Sequence, residues 1–498
     1  MNIIRSNVIT VFIIALAAFL SGCTVGPAFR RPEPPQAQTY TETALPQKTA
    51  SAPVAGGAAQ SFITNANVPA GWWTLFNSPS LNRLEDTALA HNYTLEAAQE
   101  ALNQAFETKR SRTGALLYPQ IDAKAGATRE RFSGAAFGQP GNPGTIFNLF
   151  NVSAGVSYLF DIFGSSRRQI EALGAQVDYQ RFQLEGAYIA LTANVATTAM
   201  KEASIRAQIA ATKEVLADQE KQLSIIEQQL SLGGVSNSDV LAQKTQVAQT
   251  RAALPPLEKG LSQTRHQLAV LAAVTPDKTG GLPEFGLDEF TLPAELPLTL
   301  PSSLLRRRPD IRASEALLHE ASAQIGVATA AMFPQLTFNG GIGTETTKIQ
   351  DLFGKNTSIW DFGISLLAPI FHGGELTAQR RAAIDAYKQA LAQYQETVLE
   401  AFQNVADVLR ALDRDAASLT AQFQAWAAAR DLLETTRGQF RLGAVSYLQL
   451  LNAQRQYQQA EIGLVEARAA RLADTAALFQ ALGGGWWNSP AATAMEEK

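Results

Sequence analysis

Apolar positions along this chain alternate between a period near 3.5 and a period of 2. Leu81, Leu84, Ala88 and Leu89, then Leu95, Ala98, Leu102 and Ala105, recur at helical spacing. The run stops at Tyr118-Pro119, because the residue before a proline is driven out of the helical region. Ile121, Ala123, Ala125 and Ala127 then alternate with Asp122, Lys124, Gly126 and Thr128. Beyond a Gly- and Pro-rich loop, 133–144, Val152, Ala154, Val156, Tyr158 and Phe160 alternate with Ser153, Gly155 and Ser157. This predicts a β-hairpin at about 119–162 with one apolar face and one small, polar face. Its strands have about the nine to eleven residues that cross an outer membrane.

Helical spacing returns at Ser165. Leu191, Val195, Thr198, Glu202, Ile205, Ile209, Thr212, Leu216, Gln219, Leu223, Ile226 and Leu230 follow steps of four and three, a coiled-coil-like seam with polar interruptions. Leu232-Gly233-Gly234-Val235-Ser236 then breaks the helix, and a return helix runs to about Val274. Gly233 can take the left-handed conformation that closes a helix, and Ser236 suits the N-cap of the next. Pro255-Pro256 is expected to kink or divide the return helix.

The whole pattern then repeats. Phe333-Pro334-Gln335-Leu336 stops a helix as Tyr118-Pro119-Gln120-Ile121 does. Leu336, Phe338 and Ile342, then Trp360, Phe362, Ile364 and Leu366, alternate with small or polar residues, predicting a second hairpin at about 334–370. A second long seam runs Ile384, Tyr387, Leu391, Tyr394, Val398, Ala401, Val405, Val408, Leu412, Ala416, Leu419, Phe423 and Trp426, apolar or aromatic throughout. It ends in a matching tip, Leu442-Gly443-Ala444-Val445-Ser446, before a last helix to Leu482.

The chain therefore reads as a leader (1–22), an N-terminal tether (23–70), a first repeat (71–274, tip about 232–236), a Gly- and Pro-rich linker (275–302), a second repeat (303–485, tip about 442–452) and a tail (486–498). Residues 28 to about 70, rich in Pro, Ala, Gln, Thr and Ser, have little capacity to form a core.

Two physical demands follow. Each repeat supplies one hairpin, so one chain has four membrane-length strands. Four strands cannot close, and open edges in lipid leave backbone groups unpaired, so the chain must oligomerise or its strands do not span. Ser165 to Leu232 is roughly 100 Å if helical throughout. A seam one heptad position wide is too narrow to centre a globular core and suits helices that touch neighbours on both sides, as in a tube.

The leader has one basic residue, Arg5, then an apolar run from Val8 to Leu20, short for a membrane span and suited to a signal peptide. Leu20-Ser21-Gly22-Cys23 is similar to a bacterial lipobox, in which Cys23, the chain's sole cysteine, is acylated. Thr24 in the next position is consistent with export to the outer membrane. Charge is near balance, 41 basic against 45 acidic residues, with no global basic field for nucleic acid. His91, His266, His319 and His372 are scattered without metal-ligand spacing. No nucleophile elbow, phosphate loop or dinucleotide fingerprint is present, so neither catalysis nor a cofactor is expected.

Several motifs carry a family resemblance: Cys23-Thr24-Val25-Gly26-Pro27 with Arg31-Pro32; Trp72-Trp73; Leu304-Leu305-Arg306-Arg307-Arg308-Pro309-Asp310-Ile311; Ile325-Gly326-Val327-Ala328 leading to Phe333-Pro334; and Tyr447-Leu448-Gln449-Leu450-Leu451. Together they resemble the TolC/OprM-like outer-membrane efflux proteins, in the lipoprotein (NodT-type) branch. The resemblance implies a mainly α chain with a β portion. Three copies would form a 12-stranded β-barrel continuing into a periplasmic 12-helix barrel. It also implies a passive exit duct for drugs, dyes or other toxic compounds, joined to a periplasmic adaptor and an inner-membrane pump of the resistance-nodulation-division type.

By resemblance, Leu448 and Asn452, one helical turn apart, match an apolar and an acidic ring that constrict the closed pore. Asn452 stands where better-known relatives carry Asp. Gly233, Ser236, Gly443 and Ser446 are candidates for docking the adaptor. Arg307, Arg308, Pro309 and Asp310 read as structural: Pro309 suits the first helical turn, Asp310 favours a helix N-terminus, and the arginines are expected to pair with acids. A type I protein-secretion channel would share the architecture. A lipid-anchored coiled-coil scaffold without a channel would leave the four alternating segments unexplained.

Overall fold

The structure, a computed structural model, describes residues 24–33, 37, 39–133, 135, 138, 141 and 143–488. The leader, Cys23 and tail residues 489–498 lie outside the described residues. The chain forms two compact units, one of 1–32, 101–180 and 313–394, the other of 33–100, 181–312 and 395–498. In chain order the elements are β1 (Ser61–Thr64), α1 (Pro79–His91), α2 (Tyr93–Leu117), β2 (Gln120–Phe132), β3 (Thr145–Phe160), α3 (Ser165–Ser231) and α4 (Asn237–Leu271). They continue with β4 (Glu295–Leu298), α5 (Pro301–Arg307), α6 (Pro309–Ala330), β5 (Gln335–Thr346), β6 (Ser358–Leu367), α7 (Glu375–Arg441) and α8 (Tyr447–Ala481).

The first unit contains an antiparallel sheet in the order β2-β3-β5-β6. At 13 and 16 residues, β2 and β3 are longer than the expected nine to eleven. Register places Ile121 opposite Val156, Ala123 opposite Ala154, and Ala154 opposite Ile342, which faces Trp360. Side chains of one parity share a face, so Ile121, Ala123, Ala154, Val156, Ile342 and Trp360 lie on one apolar face. The alternate face carries Lys124, Ser153, Gly343 and Ile359 in register, and Asp122, Gly155, Gly341 and Asp361 beside them. Apart from Ile359, these are small or polar.

The segment after Cys23 is docked in this unit. Val25 N–H donates to Phe163 O at 3.1 Å. Arg31 pairs with Glu315 at 2.6 Å, and Phe29 stacks on His319 at 4.4 Å. A Cβ on Gly26 would sit 2.5 Å from Gly326 Cα, so both motif glycines serve a close backbone approach.

In the second unit, Trp72 is fully buried and stacks on Phe479 at 5.4 Å, in a core with Phe76, Leu81, Leu268 and Leu304. Phe285, Leu287, Phe290 and Leu296 of the expected linker join this core, and β4 pairs in parallel with β1. The linker is therefore packed structure.

The reading of residues up to 70 as a tether needs a similar correction. Thr49, Ala52, Gln60 and Val68 are buried. Apolar content is low, but hydrogen bonds replace it. Thr49 N–H donates to Gln60 O at 2.9 Å, and buried Arg471 donates to Gly56 O, Ala58 O and Thr49 Oγ1 at 3.2, 2.7 and 3.0 Å.

Pro255 and Pro256 lie inside α4 without dividing it. Both are exposed, so carbonyls that lose an intrahelical donor can face water. The polar seam positions Thr198, Glu202, Thr212 and Gln219 of α3 are buried, and Glu202 takes Arg206 at 2.7 Å and Arg265 at 2.8 Å.

Replacing Arg471 with Met removes the donors that gather the 49–58 segment. Hydrogen bonds from a charged group contribute about 1.5–3 kcal/mol each. We expect Arg471→Met to make Lys48 newly cleavable by trypsin under native conditions. Unchanged protection would refute the anchoring role.

Candidate pore gate and docking tips

The two hairpin tips close in the same way. Gly233 and Gly443 have φ of +76° and +72°. Gly234 N–H reaches back to Gln229 O at 2.8 Å and Ala444 N–H to Gln439 O at 2.9 Å, the six-to-one bond of a Schellman turn. Ser236 begins α4 with a reciprocal capping box: its N–H donates to Asp239 Oδ2 at 3.0 Å, and Asp239 N–H donates to its Oγ at 3.3 Å. Ser446 N–H donates to Gln449 Oε1 at 3.1 Å at the start of α8. Each tip leaves one leucine almost bare, Leu232 at 85% and Leu442 at 86% exposure.

Behind the tips the two hairpins share a small core of Ile226, Val240, Leu433, Tyr447, Leu450, Leu451 and Ala453. A buried hydrogen-bond chain crosses it. Tyr447 O–H donates to Gln243 Oε1, and Gln243 Nε2 donates to Gln219 O at 2.6 Å, joining α8, α4 and α3. Burial, and after it the charge of Asp239, holds the Tyr447 phenol above its ordinary pKa, so it remains a donor.

The opposite face of α8 turns outward. Leu448 is 59% exposed and Asn452 is exposed, while Leu450, Leu451 and Ala453 are buried. The structure thus brings Leu448 and Asn452 onto one open face, as their spacing predicts. It adds a residue the sequence reading missed: Arg455 donates from Nη2 to Asn452 Oδ1. The i,i+3 spacing of 452 and 455 was the available signal. Asn452 accepts this bond without neutralising the guanidinium.

The Arg-Arg-Pro-Asp block stands apart from the tips. Arg308 pairs with Asp310 at 2.6 Å and donates to Ala481 O at 2.9 Å, and Asp310 Oδ1 accepts from Ile311 N–H at 2.9 Å. Arg307 does not pair with an acid in the way expected. It lies over the Trp487 ring at 4.9 Å, and its carbonyl accepts from Trp486 Nε1 at 2.7 Å. These contacts join the start of α6 to the end of α8 and the first tail residues. On the apolar face of the sheet, Trp360 and Phe362 stack at 5.9 Å, and both are largely exposed with Ile121, Ile342, Ile364 and Leu366. Among the described residues no helix is long and apolar enough to cross a membrane, and this face is the apolar surface of membrane dimensions.

A model of the family described as outer membrane efflux protein matches residues 84–274 and 300–484. The toluene efflux pump outer membrane protein TtgC of Pseudomonas putida is 31% identical over 480 residues, 95% of each chain. The probable outer membrane lipoprotein SilC of Salmonella typhimurium is 28% identical over 487 residues, 96% of this chain and 98% of that one. Among solved structures, the open-state MtrE outer membrane channel of Neisseria gonorrhoeae matches with a TM-score of 0.80 at 26% identity, over 94% of this chain and 99% of that chain. Since the family match spans both repeats, the chain belongs to the outer membrane efflux protein family and serves as an outer-membrane exit duct for efflux.

Proposed function

We propose that three copies of this chain close their sheets into a 12-stranded barrel in the outer membrane, continue as a 12-helix barrel in the periplasm, and gate the duct at the α8 face. The observation that carries this reading is the four-stranded sheet with an apolar face and an unpaired edge at each of β2 and β6. Barrels of this kind need at least eight strands, so closure requires further copies, and the family resemblance sets the number at three. Small toxic compounds, drugs and dyes among them, are the cargo. A periplasmic adaptor and an inner-membrane pump of the resistance-nodulation-division type deliver it. Cys23 is acylated and adds a lipid anchor. Support comes from the docked segment that follows it, where Thr24 packs so closely on Gly164 that a Cβ there would approach within 2.9 Å of Thr24 Cα.

In the gate, Leu448 supplies the apolar constriction and Asn452 with Arg455 the polar one. An Asn452 ring carries no charge, so Arg455 makes this constriction cationic. The purified full chain in a planar bilayer is expected to conduct weakly, with anions favoured. Leu448→Ala with Asn452→Ala is expected to raise single-channel conductance, and Asn452→Asp to move the reversal potential toward cations. Absence of channels would reject the duct. Unaltered conductance and selectivity would reject the gate.

The tips dock the adaptor through Leu232 and Leu442, held in place by Gly233, Gly443 and the capping serines. Gly443 lies at positive φ, where a side chain is strained. Gly443→Trp should therefore reduce crosslinking to the adaptor sharply, and persistence of the crosslink would exclude tip docking. For the anchor, intact mass of the membrane-extracted protein should lose its acyl increment in Cys23→Ser. An unmodified wild-type Cys23 would exclude lipidation.

A further inference from the structure

Behind the tip core, α3, α7 and α8 line a partly open cavity of about 220 Å³. It holds about seven waters at the density of the liquid and is smaller than a drug-sized site, which begins at roughly 300 Å³. Its floor contains two side-chain amides removed from solvent. Gln219 is 1% exposed, and neither its Nε2 nor its Oε1 has a partner. Gln454 is 5% exposed, with Oε1 unpartnered. Such groups are rare in folded proteins, because an unmade hydrogen bond at a buried amide is destabilising. Both line the cavity and offer acceptors, together with one donor, to whatever enters it.

The walls have a definite sign. Four carboxylates line the cavity, Glu214, Asp218, Glu434 and Glu461, against the two guanidiniums of Arg430 and Arg437. Arg437 is taken by Asp218 at 3.3 Å, and Arg430 by Asp431 at 3.0 Å. Glu461 accepts from Trp426 Nε1 at 2.5 Å. Glu214 and Glu434 are left without an ion pair among the described residues. The local potential registers at Tyr457. Burial raises its phenol pKa first, and Glu461 and Glu214 raise it further, to about 12.

No three His, Cys, Asp or Glu residues among those described are grouped to hold a metal ion. Buried amide acceptors with unpaired carboxylates at the mouth instead suit a compact cation rich in N–H donors. We propose that this cavity is a binding site for a small organic ammonium compound. Its N–H groups bond Gln219 Oε1 and Gln454 Oε1, and its charge is balanced by Glu214 and Glu434. An occupant there touches α3 of the first hairpin and α7 and α8 of the second, so it favours the arrangement that keeps the three together. That consequence for gating rests on the reading of α8 as the gate; the binding itself does not.

Isothermal titration of putrescine into the detergent-purified full chain is expected to give saturable binding at one site per chain. Uncharged butanediol is expected to give no binding heat. Glu214→Gln with Glu434→Gln changes two exposed side chains and should weaken putrescine about tenfold, the effect of two partly exposed ion pairs. Gln454→Met, which removes a buried acceptor but no charge, should weaken it as well. The site is overturned by no saturable heat, by equal binding of butanediol, by undiminished affinity in the charge variant, or by magnesium competing for the same site with higher affinity. In bilayers, bound putrescine should lower the open fraction of wild-type channels and leave the charge variant unaffected. Binding without that effect would retain the site and reject its link to the gate.

Discussion

A backbone N–H or C=O left unpaired against hydrocarbon costs several kcal/mol, and water is not there to replace the missing bond. The sheet of this chain meets that constraint at both edges, along β2 and along β6. Much else is arranged around it. The register keeps Ile121, Val156, Ile342 and Trp360 on one face, where lipid can cover them. The other face is held mostly to small and polar side chains. Gly343 shows how tightly: a Cβ there would stand 2.5 Å from Val152 O. Neighbouring copies remove the edges, and the long helices, with narrow seams, also require neighbours.

The alternation of periods made the four strands and the long helices legible, because a period of 2 and a period near 3.5 each leave a direct mark in sequence. The tips were legible from Gly233 and Gly443, since a positive φ selects glycine. Residues 49–68 were not. Their anchoring depends on Arg471, more than 400 positions away, and on backbone carbonyls that no composition reveals. The 275–302 segment misled similarly: its glycines and prolines mask four scattered apolar residues that meet only in the folded core. The shared exposed face of Leu448 and Asn452 could be read from their i,i+4 spacing. Arg455 was overlooked because an exposed arginine on a helix is ordinarily only a solvated residue. The amides of Gln219 and Gln454 gave no signal, since their burial follows from the packing of three helices.

The two hairpins differ in how they are held. In α3 the seam is interrupted by Thr198, Glu202, Thr212 and Gln219, all buried. Glu202 is met by Arg265 of α4, and the Gln219 carbonyl by Gln243 of α4. Those contacts are directional, so they fix the register of the first hairpin as well as its separation. The α7 seam has no charged or amide residue from Ile384 to Trp426. Apolar contact is non-directional and permits sliding at little change in buried area. The second hairpin is joined to the first by few polar bonds, chief among them Tyr447 to Gln243 and Arg437 to Asp218.

The repeats also differ at their tips. The first tip closes its capping box with the charged Asp239; the second uses the neutral Gln449. The exposed residues Leu448, Asn452 and Arg455 all belong to the second hairpin. Buried polar seam residues hold the first hairpin, whereas in the second the α7 seam is apolar and Trp426 donates to Glu461 of α8. Between the hairpins, Tyr447 donates to Gln243, which in turn donates to the Gln219 carbonyl within the first. This chain of two bonds is buried, and in a dry site a hydrogen bond holds its strength against water.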